Sequence, residues 1–98
     1  MPENKTKKQV VKLHPDDNVL VALSDLQKGE NITFEAETFV LQDLIKAKHK
    51  FYTQDMIKGQ EVIMYGVLVG KVQNDISKGS LMTTENLKHA ADPYAYRN

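Results

Sequence analysis

The sequence predicts a mostly β, single small domain with one-turn helices at its corners, and three observations carry that reading. One short phrase, aspartate followed by apolar residues and then lysine-glycine, recurs as DLQKGE at 25–30, DLIKAK at 43–48, DMIKGQ at 55–60 and DISKGS at 75–80. The segments beside the copies, NVLVAL, NITFEAETFVL and EVIMYGVLVG, are short and rich in β-branched or aromatic residues. Five glycines and three prolines cut the chain into pieces too short for long packed helices.

Taken in order, the polar, lysine-rich opening MPENKTKKQ reads as a disordered tail over 1–8 ahead of a domain at 9–98. It has no apolar stretch behind it, so it is neither signal peptide nor membrane span. NVLVAL is a continuous apolar run, as in a strand buried on both faces. In each phrase the aspartate can accept backbone N–H groups and the glycine can take the left-handed conformation that releases the chain into a strand. One-turn helices are therefore expected to begin near Asp25, Asp55 and Asp75. The second copy has Ala47-Lys48 where glycine belongs, so its turn is expected to close differently. FVLQDLIKAKHKF has helical spacing, but its first half is equally good strand. The copies lie 18, 12 and 20 residues apart, too irregular for a solenoid. The phrase reads as scaffolding.

Ninety-eight residues bury roughly two-thirds of their unfolded surface, enough for one domain but not for a large enclosed active site. Lysine plus arginine number 13 and aspartate plus glutamate also 13, so no net field favours nucleic acid or an anionic membrane. The absence of cysteine removes disulfides and thiolate metal sites, and suits a cytoplasmic protein.

Polar clusters carry two readings each. His14-Pro15-Asp16-Asp17-Asn18 offers an imidazole and carboxylates to one ligand, or forms an Asx-type turn between strands. Lys48-His49-Lys50 offers a cationic site for a carboxylate or phosphate, or a solvated turn. Thr83-Thr84-Glu85-Asn86 lines a pocket, or caps a terminal turn containing Leu87-Lys88-His89. Histidines 14, 49 and 89 could converge on a metal only through the fold. No HExxH, GxSxG or glycine-rich phosphate loop occurs. On chemistry alone the chain is a small binding module.

The series KLHPDDNVLVALSDLQKGE, KHKFYTQDMIKGQEVIMYG and VGKVQNDISKGS resembles the N-terminal domain of the altronate/galactarate dehydratase family. That family runs roughly His-x-x-Asp-Asn-Val, Gly-His-Lys-Phe-Ala, Val-Ile-Lys-Tyr-Gly-x-x-Ile-Gly, Gly-Glu-x-Val-His-x-His-Asn, and often a closing Tyr-x-Tyr. The likeness keeps order and spacing over about residues 10–96, ending at Tyr94-Ala95-Tyr96. It implies an antifreeze-like (SAF) domain of the β-clip fold, fused before a large dehydratase domain or made as a separate small subunit. The small subunit of sulfolactate sulfo-lyase is similar. The chemistry implied is loss of water from a sugar acid, assisted by iron or manganese shared with a large subunit. The implied partners are that subunit and the sugar-acid carboxylate, with room for a homo-oligomer.

The resemblance carries binding roles to His14, Asp17, Asn18, His49, Lys50, Tyr65 and Asn86, and implies that His14, His49, Lys50, Glu85 and Asn86 share one face. Lys48 stands at the family's glycine, Met64 at its lysine, and Thr83 and Glu85 at its two histidines. Glu85 offers an oxygen ligand to a hard ion but no imidazole chemistry. Two function classes follow. One is a working small subunit of a sugar-acid or sulfo-acid lyase, inactive alone. The other is a non-catalytic carboxylate- or partner-binding domain that has lost the family chemistry.

Overall fold

The computed structural model describes residues 8–89, and eight strands make up their regular structure. The tail expected over 1–8, apart from exposed Lys8, lies outside the described residues, as do Tyr94 and Tyr96. The strands are β1 (Val10–Val11), β2 (Val19–Ala22), β3 (Asn31–Phe34), β4 (Glu37–Val40), β5 (Lys50–Tyr52), β6 (Glu61–Met64), β7 (Val67–Val72) and β8 (Leu87–His89). All pairings are antiparallel: a β1-β2-β5 sheet, a β3-β4 hairpin and a β6-β7-β8 sheet. The mostly β expectation holds. No helix among the described residues is long and apolar enough to cross a membrane.

The apolar run at 19–22 is buried on both faces, as its composition predicts. Leu20 and Ala22 join one core with Leu26, Ile32, Phe39, Leu41, Ile45 and Phe51. Val19 faces the other way, into a second core with Tyr52, Met56, Val62, Val72, Ile76 and Leu87. β5 alternates in the same manner, sending Phe51 to the first core and Tyr52 to the second. The β2–β5 ladder is thus a partition with a core on each side.

The repeated phrase is scaffolding, but its turns are not helical. Each copy forms a single β-bridge followed by a β-turn, and the copies join in pairs. Leu26 bridges Ile45, and Met56 bridges Ile76. The turns close by Glu30 N–H donating to the Gln27 carbonyl at 3.0 Å and Gln60 N–H to Ile57 at 2.9 Å. The aspartates do not cap their own turns. Asp55 accepts from Lys78 N–H at 2.8 Å and Asp75 from Lys58 N–H at 2.9 Å, so the third and fourth copies cap one another. Asp25 accepts from Ala47 N–H at 2.8 Å.

These bonds define an internal repeat. Lys48 N–H donates to Ala22 O and Gly79 N–H to Tyr52 O; Gly29 donates to Leu41 O and Gly59 to Val72 O. The bridge makes Ile45 the counterpart of Ile76, so Leu44, not Asp43, stands where Asp75 stands. The second copy is shifted by one residue, and Asp43 instead accepts from Leu81 N–H at 2.9 Å. Lys48 is then the counterpart of Gly79, with φ of 75° against 90°. The turn that lacks glycine closes in the same way after all, by His49 N–H donating to Lys46 O at 3.0 Å, as Ser80 N–H does to Ser77 O. Lysine accepts a left-handed conformation that costs a non-glycine residue about 1 kcal/mol. The second repeat is one residue longer, and a β-bulge between Val62 and Ile63 of β6 and the facing β7 absorbs it.

Gly79 is constrained twice. Its φ is positive, and a Cβ there would run into the Val40 carbonyl oxygen. Gly29, at φ 85°, has nothing within 4 Å of that position. Gly29→Ala should therefore cost about 1 kcal/mol from backbone strain alone. Gly79→Ala should cost at least about 3 kcal/mol, because backbone must move. Urea midpoints at unchanged slope measure both, and equal losses would remove the steric account.

Candidate functional site

Loop 12–18 joins β1 to β2 and carries the first polar cluster. Asp17 N–H donates to the His14 carbonyl at 3.0 Å, closing a β-turn with Pro15 at its second position. His14 Nδ1 accepts from Asp16 N–H at 3.1 Å. The Asp17 side chain turns inward and is 4% exposed. It accepts from Tyr65 N–H at 3.1 Å and Gly66 N–H at 2.9 Å, clasping the tip of the β6–β7 hairpin. Tyr65 and Gly66 both have positive φ, 58° and 75°, the type I′ geometry whose twist suits a two-residue hairpin. A Cβ on Gly66 would lie 2.7–2.9 Å from the His14 ring, so the imidazole rests directly on the glycine backbone. Asn18 is engaged as well: Nδ2 donates to Glu61 O at 3.0 Å and Oδ1 accepts from Ile63 N–H at 2.8 Å. The segment does turn between strands, but Asp17 and Asn18 form no Asx-type turn and instead brace β6 and its hairpin. His14 lines a depression of about 290 Å³ with Lys12, Leu13, Pro15, Phe34 and Glu35. Tyr65 is exposed at the adjoining hairpin tip.

The second cluster lies where β5 begins. Ala47, Lys48, His49, Lys50 and Met82 line a depression of about 380 Å³. Lys46 is held 3.7 Å from Asp25, whereas among the described residues neither Lys48 nor Lys50 pairs with a carboxylate. Met82 N–H donates to Lys50 O at 2.9 Å, and the Met82 side chain also borders a smaller depression lined by Thr83, Thr84, Leu87 and His89. The 48–50 and 83–84 segments therefore both border Met82. His14 sits in a depression that shares no lining residue with theirs.

Thr83 caps a turn, but the terminal turn expected at 87–89 is strand β8. Thr83 Oγ1 accepts from Glu85 and Asn86 N–H, each at 3.1 Å. Asn86 Oδ1 accepts from Thr83 N–H at 3.0 Å and from the Tyr52 hydroxyl at 2.9 Å, while Nδ2 donates to Leu81 O at 2.8 Å. Tyr52 is fully buried, and desolvation pushes its phenol up to about 12. Sequence reasoning passed over this tyrosine. The signal was its place beside Phe51 in a strand buried on both faces, where a hydroxyl needs a partner. Glu85 is exposed. Among the described residues no three histidine, aspartate or glutamate side chains group as a metal site, so histidines 14, 49 and 89 do not converge.

The described residues form an all-antiparallel β domain in which a buried aspartate holds a hairpin tip and two open depressions meet at Met82. The model of the altronate/galactarate dehydratase SAF domain matches residues 8–90, and the chain belongs to that family. It is 35% identical over 92 residues to altronate dehydratase of Escherichia coli (strain K12), covering 91% of this chain and 19% of that enzyme. It is 36% identical over 81 residues to altronate dehydratase of Bacillus subtilis (strain 168), covering 83% of this chain and 16% of that enzyme. The chain thus spans less than a fifth of the length of these relatives.

Two outcomes follow from this geometry. Asp17→Ala leaves two turn N–H groups without their charged acceptor and should cost about 3 kcal/mol in urea unfolding, with Asp17→Asn losing about half as much. For Tyr52, the interior favours the neutral phenol, so the folded state holds the proton more tightly than the unfolded chain. Its contribution is intact below the ordinary value of 10.0 and is lost as the pH rises from there toward about 12. Tyr52→Phe should be less stable at neutral pH by about 1 kcal/mol, and should lose less stability than the parent between pH 10 and 12. Parallel alkaline losses in the two proteins would exclude Tyr52 as the cause.

Proposed function

We propose that this chain acts as the N-terminal-domain-like small subunit of a sugar-acid dehydratase of the altronate/galactarate type. It assists metal-dependent removal of water from an aldonate or aldarate together with a large catalytic chain. The observation that carries the reading is the family match over residues 8–90, with about a third of positions identical to two altronate dehydratases. Metal-assisted elimination needs a substrate enclosed away from water, and the open depressions of the described residues do not enclose one. In this reading Lys50 supplies positive charge, and His49 a ring N–H, to the substrate carboxylate. Asn86, fixed by Tyr52 and Thr83, stiffens the adjoining wall. His14 presents the edge of a ring seated on Gly66, and Tyr65 stands at the exposed tip beside it. The iron or manganese does not fit a site on this chain alone: Glu85 is a single exposed carboxylate, and no ligand group gathers around it among the described residues. The ion then belongs to the large chain.

A second reading is favoured by the residues at the family's polar positions. With Thr83, Glu85 and Met64 in place of two histidines and a lysine, the domain would bind a carboxylate or a partner without chemistry. Assays of aldonate, aldarate and sulfolactate substrates with iron or manganese, with and without a large dehydratase chain, separate the two. The expected result is no turnover by this chain alone and turnover with the partner, reduced about a hundredfold by His49→Ala. Turnover by the isolated chain would overturn the subunit role, and inactivity with the partner would favour the second reading.

A further inference from the structure

The internal repeat supplies a control for Lys48. Lys48 and Gly79 hold equivalent places: each donates its N–H to the partition strand, at 2.7 Å to Ala22 O and 2.9 Å to Tyr52 O, and each has a left-handed φ. At 79 glycine is enforced by the Val40 carbonyl. At 48 the same backbone geometry would suit glycine, yet the chain keeps a long cation there against its conformational preference. What the lysine adds is a place in the lining of the largest of the depressions described above, beside His49, Lys50 and Met82. The charges around it are not neutralised locally. Asp25 is taken up by Lys46 at 3.7 Å and by Ala47 N–H, and among the described residues no carboxylate reaches Lys48 or Lys50. At the equivalent positions of the other repeat stand Gly79, Ser80 and Leu81, which carry no charge. Positive charge is thus concentrated in one copy of a duplicated corner, in a recess with one apolar wall.

We propose that Lys48, His49 and Lys50 form a site for a dianion, a small acid with two anionic groups, and that Lys48 is the residue selecting it over a monoanion. His49 and Lys50 receive one acidic group and Lys48 the other. The inference rests on the reading that this depression faces a sugar-acid carboxylate, and adds the second charge as the selected feature. Lysine ammonium groups suit this role as flexible point charges that follow either a carboxylate or a sulfonate.

The test is an NMR titration of the 98-residue chain with a six-carbon sugar diacid, galactarate, and the matching monoacid, galactonate, at equal ionic strength. Galactarate should bind about tenfold more tightly than galactonate, with the largest shifts at residues 48–50 and Met82. Lys48→Gly should raise the urea midpoint, because it relieves the left-handed lysine, while removing the tenfold preference. Lys28→Gln, a loss of the same charge in a different turn, should leave the preference intact. Equal affinity for the two acids, or a preference that survives Lys48→Gly, would overturn the dianion site and leave the carboxylate reading standing. Absence of any shift at His49 and Lys50 with either acid would overturn both.

Discussion

The antiparallel pairing of β2 with β5 is the constraint on which the remainder depends. Val19 faces Tyr52, Leu20 faces Phe51 and Val21 faces Lys50, so the ladder is only three residue pairs long. Because successive side chains point to opposite faces, those few residues found two cores at once. Phe39 meets Phe51 edge-on at 5.8 Å in the first core, and the second closes over Tyr52. A polar residue at 19, 20, 51 or 52 would strip a face from one half while leaving the other without its wall. For a chain this short, sharing one partition replaces the second sheet that a pair of independent cores would require.

Around that partition the chain exchanges contacts between its halves rather than completing each alone. The third and fourth copies of the phrase trade aspartate acceptors, Asp55 for Lys78 N–H and Asp75 for Lys58 N–H. Lys78 then reaches into the other half, with Nζ 4.8 Å from the centre of the Phe39 ring and 4.0 Å from Glu37. Polar and cationic groups thereby fix the relative setting of two apolar clusters that hydrophobic burial alone would leave free to slide. The same economy holds near the candidate site, where Asn86 ties the 81–83 backbone to a hydroxyl in the second core.

Much of the fold was legible because its signals are local. The run at 18–23 announced a strand buried twice over, and the glycines of three phrase copies announced left-handed turns. The error about one-turn helices has a physical origin. An aspartate that accepts backbone N–H bonds looks the same in sequence whether the donor lies in its own turn or in a segment about twenty residues away. The one-residue shift of the second copy was hidden for a similar reason, since Asp43 imitates the phrase while Leu44 occupies its place. For the site, the meeting of the 48–50 and 83–84 segments at Met82 was not legible, because the pairing of Lys50 with Met82 is long-range and leaves no periodic trace. The inward commitment of Asp17 and Asn18 was likewise invisible, their partners lying on β6 and its hairpin.

The bulge opposite Val62 and Ile63 has a bearing on which length changes this architecture can absorb. In a two-residue alternation a single added residue would invert every side chain after it, turning Val72 to water and Lys71 to the core. The bulge resets the phase, so Gly70 and Val72 are buried and Lys71 is exposed despite the added residue. It also strengthens the local twist. The hairpin whose tip Asp17 grips is therefore the one carrying the irregularity, while its sister β3–β4 runs without a break in register. The two copies of the structural unit thus differ in length by a single residue, and the difference is carried by the hairpin whose tip presents Tyr65.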